Sequence, residues 1–321
     1  MSISTDIPPY QNASLSIDDR LNDLLDLMTV DEKAAVLFQD MIIMGQDGAL
    51  APAVAHFDML SNPDLIHQKK MTHFNLLGPI KDARAAARWY NNLQREARKT
   101  RLGIPVTIST DPHSHFTENV GTGFEADIFS QWPESLGLAA LRSADLVEKF
   151  ANIARQEYLA VGLRLALHPQ VDLATEPRWV RINAAFGEDA DLTSELVAAY
   201  ICGFQGGAVL GPQSVSTMTK HFPGGGPQKD GEDPHFAYGP GNNFEYHLKP
   251  FKAAIAAGAA QMMPYYGMPV GTSYDEVGFA SNRALITGIL REDLGFQGII
   301  CTDWGLVTDK VIMGQLMPAR A

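Results

Sequence analysis

Five short segments combine residue types that can do chemistry. In Cys301-Thr302-Asp303-Trp304-Gly305 an aspartate is followed by an aromatic residue and a glycine. At the end of a strand, that arrangement suits a carboxylate facing a sugar ring, with an aromatic face to stack on it. An Asp capping the turn before the next helix would have the same local pattern. Lys220-His221-Phe222-Pro223-Gly224-Gly225-Gly226 delivers two side-chain donors into a glycine-rich loop. Such donors can fork onto vicinal hydroxyls, and the glycines let backbone approach a ligand. A flexible connection with a surface lysine reads equally well, whereas phosphate-loop spacing is absent.

The same loop continues as Asp230-Gly231-Glu232-Asp233-Pro234-His235. A carboxylate beside an imidazole can orient it and raise its pKa, which makes a proton donor; a solvated acidic loop is the plainer alternative. Asp111-Pro112-His113-Ser114-His115 offers either a hydroxyl-binding carboxylate or, through His113 and His115, a metal site. Glu176-Pro177-Arg178-Trp179-Val180-Arg181 sets two guanidinium groups beside a tryptophan. Arginine can bridge a catalytic carboxylate and a sugar hydroxyl, or sit in an ordinary surface ion-pair cluster.

These segments need a scaffold that brings them together. An apolar strand, a helix and a glycine recur along the chain. Strands are predicted at Phe74–Gly78, Ile104–Ser109, Leu163–Leu167, Ser214–Thr219, Ala260–Pro264 and Gly298–Cys301. The intervening helices include one opened by a capping box, Thr29 with Glu32. This order implies a parallel sheet with crossover helices. Asp111, His168, Lys220, Tyr265 and Asp303 each follow a different strand, which favours a (β/α)8 barrel, where strand ends converge, over an open doubly wound sheet. Residues 1–70 read as a helical lead-in packed on the barrel, and 71–321 as the barrel itself. Only 18 residues follow Asp303, so the expectation is a barrel lacking its last element or elements.

Composition narrows the function classes. With 45% hydrophobic and 19% charged residues the chain can bury a large core. A net charge of -12 argues against nucleic acid and anionic membranes and is compatible with a neutral sugar. Cys202 and Cys301 are expected as reduced thiols. No signal peptide or membrane span is read, so a cytoplasmic location is expected, with no cofactor and no metal.

Taken together, the segments resemble glycoside hydrolase family 3, close to bacterial β-glucosidases. The resemblance begins at Leu24-Leu25-Asp26-Leu27-Met28-Thr29-Val30-Asp31-Glu32-Lys33 and continues through Arg101-Leu102-Gly103-Ile104-Pro105-Val106. It runs on through Glu176–Arg181, Phe186-Gly187-Glu188-Asp189, Lys220-His221-Phe222 and Thr302–Gly305. It implies a retaining glycosidase acting on β-glucosides, with Asp303 as nucleophile. Asp111, Arg178, Lys220, His221 and Tyr265 would bind the sugar, with Trp304 beside it. It also implies a barrel usually followed by an α/β sandwich domain, which often donates the acid/base glutamate and is not expected in this chain. The acid/base would then come from a missing segment, from a second chain, or from Asp233 with His235, which resembles the Asp-His dyad of the family's β-N-acetylglucosaminidases. Weak turnover of unactivated glycosides by this chain is the corresponding expectation. Two other readings stay open: a non-catalytic or truncated sugar-binding paralogue, and a metal-dependent barrel hydrolase using His113 and His115.

Overall fold

The computed structural model describes residues 7–55, 59–118, 123–232, 243–307, 310–312 and 315–317. The chain divides into two compact units, residues 1–77 with 84–108, and residues 78–83 with 109–321.

In the first unit, α1 (Ile17–Leu27) starts on Ser16, whose hydroxyl accepts from Asp19 N–H. Next, α2 (Val30–Val36) starts on Thr29, and the reciprocal Thr29–Glu32 capping box read from the sequence is present. Strand β1 (Gln39–Ile43) pairs in parallel with β2 (His73–Leu77), Gln39 opposite His73. The stretch expected to be a helical lead-in therefore also contributes a strand. After α3 (Asn62–His67), α4 (Ala83–Lys99) lays down an apolar stripe. Its Trp89 ring nitrogen donates to buried Asn62 Oδ1 at 2.9 Å.

Strand β3 (Thr107–Thr110) spans the division. Its first half meets the segment before β2, Thr107 N–H donating to Thr72 O at 2.8 Å; its second half accepts from Leu167 N–H at 2.9 Å. The second unit continues with α5 (Ser135–Ala140), α6 (Ala144–Val161), β4 (Leu163–Ala166), α7 (Ala190–Gln205) and β5 (Ser216–Phe222). Then come α8 (Phe244–Ala256), β6 (Gln261–Pro264), the π-helical segment α9 (Ala284–Asp293) and β7 (Ile299–Ile300). Helices α6 and α7 close on Gly162 and Gly206, both left-handed, the conformation glycine adopts without steric cost. A short antiparallel hairpin, β8 (Lys310–Ile312) with β9 (Gln315–Met317), lies beyond.

The strand order is sequential, β1 through β7, and β4–β5, β5–β6 and β6–β7 all pair in parallel. This is the order of a (β/α) barrel; a doubly wound sheet would reverse at a switch point. Seven strands make up this sheet among the described residues. In the second unit two apolar clusters of described residues pack on its strands. Val171, Phe222, Met262 and Tyr265 pack under α7, α8 and α9 through Val197, Phe251 and Leu285. Leu165, Leu167, Met218 and Met263 form a second cluster with Cys301 and Trp304 against it. Cys202 and Cys301 are not joined in a disulfide. Among the described residues no helix is long and apolar enough to cross a membrane.

Helices α6 and α7 meet at a glycine. A Cβ on Gly203 would lie 2.6 Å from Glu148 O and 2.5 Å from Ala151 Cβ. Alanine gains about 1 kcal/mol of helix propensity over glycine, but overpacking against backbone costs about 1–3 kcal/mol. Gly203→Ala is therefore expected to lower the urea midpoint. A raised midpoint would mean that the two helices separate at little cost.

Candidate active site

The site is built on β5. In a regular strand Lys220 and His221 would point to opposite faces. Here Lys220 pairs with Met263 and Phe222 with Pro264, so the register slips across His221. Such an irregularity re-aims side chains, and both residues end in buried polar surroundings.

Each finds its own carboxylate. Lys220 Nζ donates to Asp111 Oδ1 at 2.8 Å, with both side chains under a tenth exposed. Asp111 comes from the end of β3. His221 Nδ1 is 2.8 Å from Asp172 Oδ2, and the histidine main-chain N–H donates to Asp172 Oδ1 at 3.2 Å. Asp172 also accepts from Gly225 N–H, so it holds the glycine-rich loop as well. It is carried there because the segment after β4 keeps pairing with β5. Val171 N–H donates to Lys220 O at 2.7 Å, and Lys220 N–H donates to Pro169 O at 3.0 Å. The loop glycines are a packing requirement: a Cβ on Gly226 would sit 1.6 Å from Leu173 O.

Asp303 follows β7 and is 6% exposed. Its Oδ1 accepts from Trp304 N–H at 2.8 Å, and its Oδ2 lies 4.0 Å from His221 Nε2. Tyr265, fully buried, sets its ring 4.7 Å from that of His221, and its hydroxyl has no hydrogen-bond partner among the described residues. The Tyr266 hydroxyl donates to Trp304 O at 3.0 Å. Burial, then the nearby Asp303 charge, raises the Tyr266 pKa, so it stays a neutral phenol.

The two arginines of Glu176–Arg181 go different ways. Arg178 is 62% exposed, forms two bonds to Glu176 at 2.8 and 2.9 Å and lies 3.8 Å from Asp230. Arg181 Nη2 instead donates to His221 Nε2 at 3.1 Å. Trp304 is half-buried against the Leu165–Met263 cluster. Asp233 and His235 lie outside the described residues. His113 stacks on Phe124 at 4.6 Å, while His115 Nδ1 donates to Pro133 O at 2.8 Å. Among the described residues no group of three or more His, Cys, Asp or Glu side chains could hold a metal ion. Asp111, Lys220, His221, Tyr265 and Asp303 are thus brought together, and Arg178 is not among them. Sequence reasoning passed over Asp172 and Tyr266. For Asp172 there was a signal: a lone acid inside the apolar run Val171-Asp172-Leu173.

The titration behaviour follows from burial. Burial opposes the charge on Asp172, but His221, the Gly225 N–H and Arg181 outweigh it and hold the carboxyl below its ordinary range. Burial, followed by the Arg181 charge, depresses His221, with Asp172 and Asp303 pulling the other way. Above about pH 6.5 the lowered value favours the neutral ring, and the Asp172 carboxylate at Nδ1 and the Arg181 donor at Nε2 favour a proton on Nδ1.

The comparisons agree with this architecture. The family model described as "Glycosyl hydrolase family 3 N terminal domain" matches residues 29–320, and the chain belongs to that family. It is 58% identical to a probable β-glucosidase C of Aspergillus flavus, over 98% of this chain and 50% of that protein. It is 41% identical to a periplasmic β-glucosidase/β-xylosidase of Dickeya chrysanthemi, over 94% of this chain and 47% of that one. A solved β-glucosidase structure from Erythrobacter marinus superposes with a TM-score of 0.74 at 25% identity, over 92% of this chain and 37% of that one. The chain spans about half the length of these curated relatives.

Two outcomes follow. Removing one member of a buried ion pair leaves the other uncompensated, at about 3–5 kcal/mol. Lys220→Met is expected to cost that much in urea unfolding, and a loss below about 1 kcal/mol would show that water reaches Asp111. Second, His113 and His247 are held near 4, mainly by burial. Between that value and the ordinary 6.5 the unfolded chain binds more protons than the folded one. Stability is therefore full above about pH 6.5 and falls as the pH drops. The thermal midpoint should decline steadily from pH 6.5 to 4.5; a flat midpoint across that range would contradict it.

Proposed function

We propose that this chain carries the nucleophile-bearing half of a retaining β-glucosidase, with Asp303 as the nucleophile. Family membership and the names of the relatives support the activity. One arrangement supports the assignment of Asp303: a buried carboxylate just after β7, 4.0 Å from the His221 ring.

In the first step an Asp303 oxygen attacks the anomeric carbon. The bond from that carbon to the aglycone oxygen breaks, and the aglycone leaves with the electron pair and takes a proton from a donor. Water then attacks the anomeric carbon and loses its proton. The glycosyl ester bond breaks, and Asp303 regains its carboxylate with net retention. Asp111, Lys220 and His221 hold sugar hydroxyls in this scheme. Arg181 takes the part the sequence suggested for Arg178, because Arg181 meets His221 and Arg178 is paired in solvent. The Tyr265 and Trp304 rings line the apolar side. The proton donor is a glutamate supplied by a further segment or a second chain, with Asp233 and His235 the alternative within this chain. Protonation of a poor leaving group contributes about 10²–10⁴-fold.

A leaving group that hardly needs a proton isolates the nucleophile from that donor. Incubated with 2,4-dinitrophenyl 2-deoxy-2-fluoro-β-glucoside, the chain should gain one fluoroglucosyl mass, mapped to Asp303 and absent in Asp303→Asn. An adduct on another residue, or none in a folded sample, would overturn the assignment.

A further inference from the structure

The most constrained polar group near Asp303 is Asp172, which the scheme above does not use. Its side chain is 0% exposed. A carboxylate is acceptor-only, and here three N–H groups converge on it: the His221 and Gly225 main-chain N–H on Oδ1 and His221 Nδ1–H on Oδ2. The carboxylate at Nδ1 calls for a proton on that nitrogen. The opposite nitrogen, Nε2, faces an Arg181 N–H at 3.1 Å, and a proton on Nε2 would set donor against donor. Asp303 Oδ2 is 4.0 Å from the same nitrogen. A protonated Nε2 would turn a positive N–H edge toward that oxygen and draw charge from it.

We propose that Asp172 is a positioning residue for attack by Asp303: it fixes the His221 tautomer with a bare Nε2, and it ties the glycine-rich loop to the same point through Gly225. The inference rests on the reading of Asp303 as nucleophile for its kinetic half, but not for its structural half. Asparagine is the informative replacement. With its oxygen toward His221 Nδ1–H, its amide N–H2 group meets the two main-chain donors. With its oxygen toward those donors, its N–H2 group meets Nδ1, which must then give up its proton, leaving the ring protonated at Nε2. Neither orientation satisfies all three partners, and the second reverses the tautomer.

The test has two readouts on the 321-residue chain. The first is 15N spectroscopy of the histidine rings at pH 7, with His221 assigned by loss of its signals in His221→Asn. The expected result is a protonated Nδ1 and a bare Nε2; a proton on Nε2 in the unaltered chain overturns the proposal without any variant at Asp172. The second is the rate of covalent labelling at Asp303 by the fluoroglucoside in Asp172→Asn that is folded by circular dichroism. Labelling is expected about 10–100-fold slower, by analogy with the loss when the carboxylate orienting a metal-ligating histidine is removed. The loss should lie in the limiting rate rather than in the reagent concentration needed. Labelling at the unaltered rate overturns the proposal. If the unaltered chain takes no label, the nucleophile assignment fails, and the ring spectrum alone decides for or against Asp172.

Discussion

The site depends on the cost of burying charge. A buried carboxylate or ammonium is tolerated only when it is paired and its remaining hydrogen-bond positions are filled. Strand β5 presents a buried ammonium, Lys220, and a buried imidazole, His221, in succession, and each has its own buried carboxylate, Asp111 from β3 and Asp172 from the segment after β4. These pairs tie three consecutive strand ends together. The register slip across His221 lets adjacent residues of one strand serve the same site. Asp303, from β7, then enters a setting already fixed on one side by the neutral His221 ring.

That constraint explains the packing around the site. Leu165, Leu167, Met218 and Met263 form a buried apolar cluster, and Trp304, next to Asp303 in the chain, packs against it. Tyr265 and Tyr266 add aromatic walls, and burial keeps Tyr266 a phenol beside the Asp303 charge. The glycine-rich loop is close-packed on Leu173 and Asp172, so its glycines serve close approach of backbone.

The parallel α/β architecture was legible because burial on both faces of a strand leaves plain apolar runs, and because helices ended on glycine. Six of the seven strands of the sheet fell within a few residues of the stretches read from sequence. The exception, β1, begins with Gln39 and Asp40 and buries only Ile42 fully, so its apolar signal is short. The motif residues of the site were legible by type, but their directions were not. Arg178 and Arg181 are three residues apart in a turn, and only the fold decides that Arg181 turns inward. Asp172 looked like one acid in an apolar run, and its importance comes from His221 and Gly225, distant in sequence but adjacent in space.

The central claim is that Asp303 attacks the sugar directly. The stereochemistry of the first-formed product tests it most directly. Proton NMR of the chain acting on 2,4-dinitrophenyl β-glucoside, read before the free sugar mutarotates, should show β-glucose appearing first, the mark of two displacements at one carbon. If α-glucose appears first, water attacks in a single step, and Asp303 is not the nucleophile.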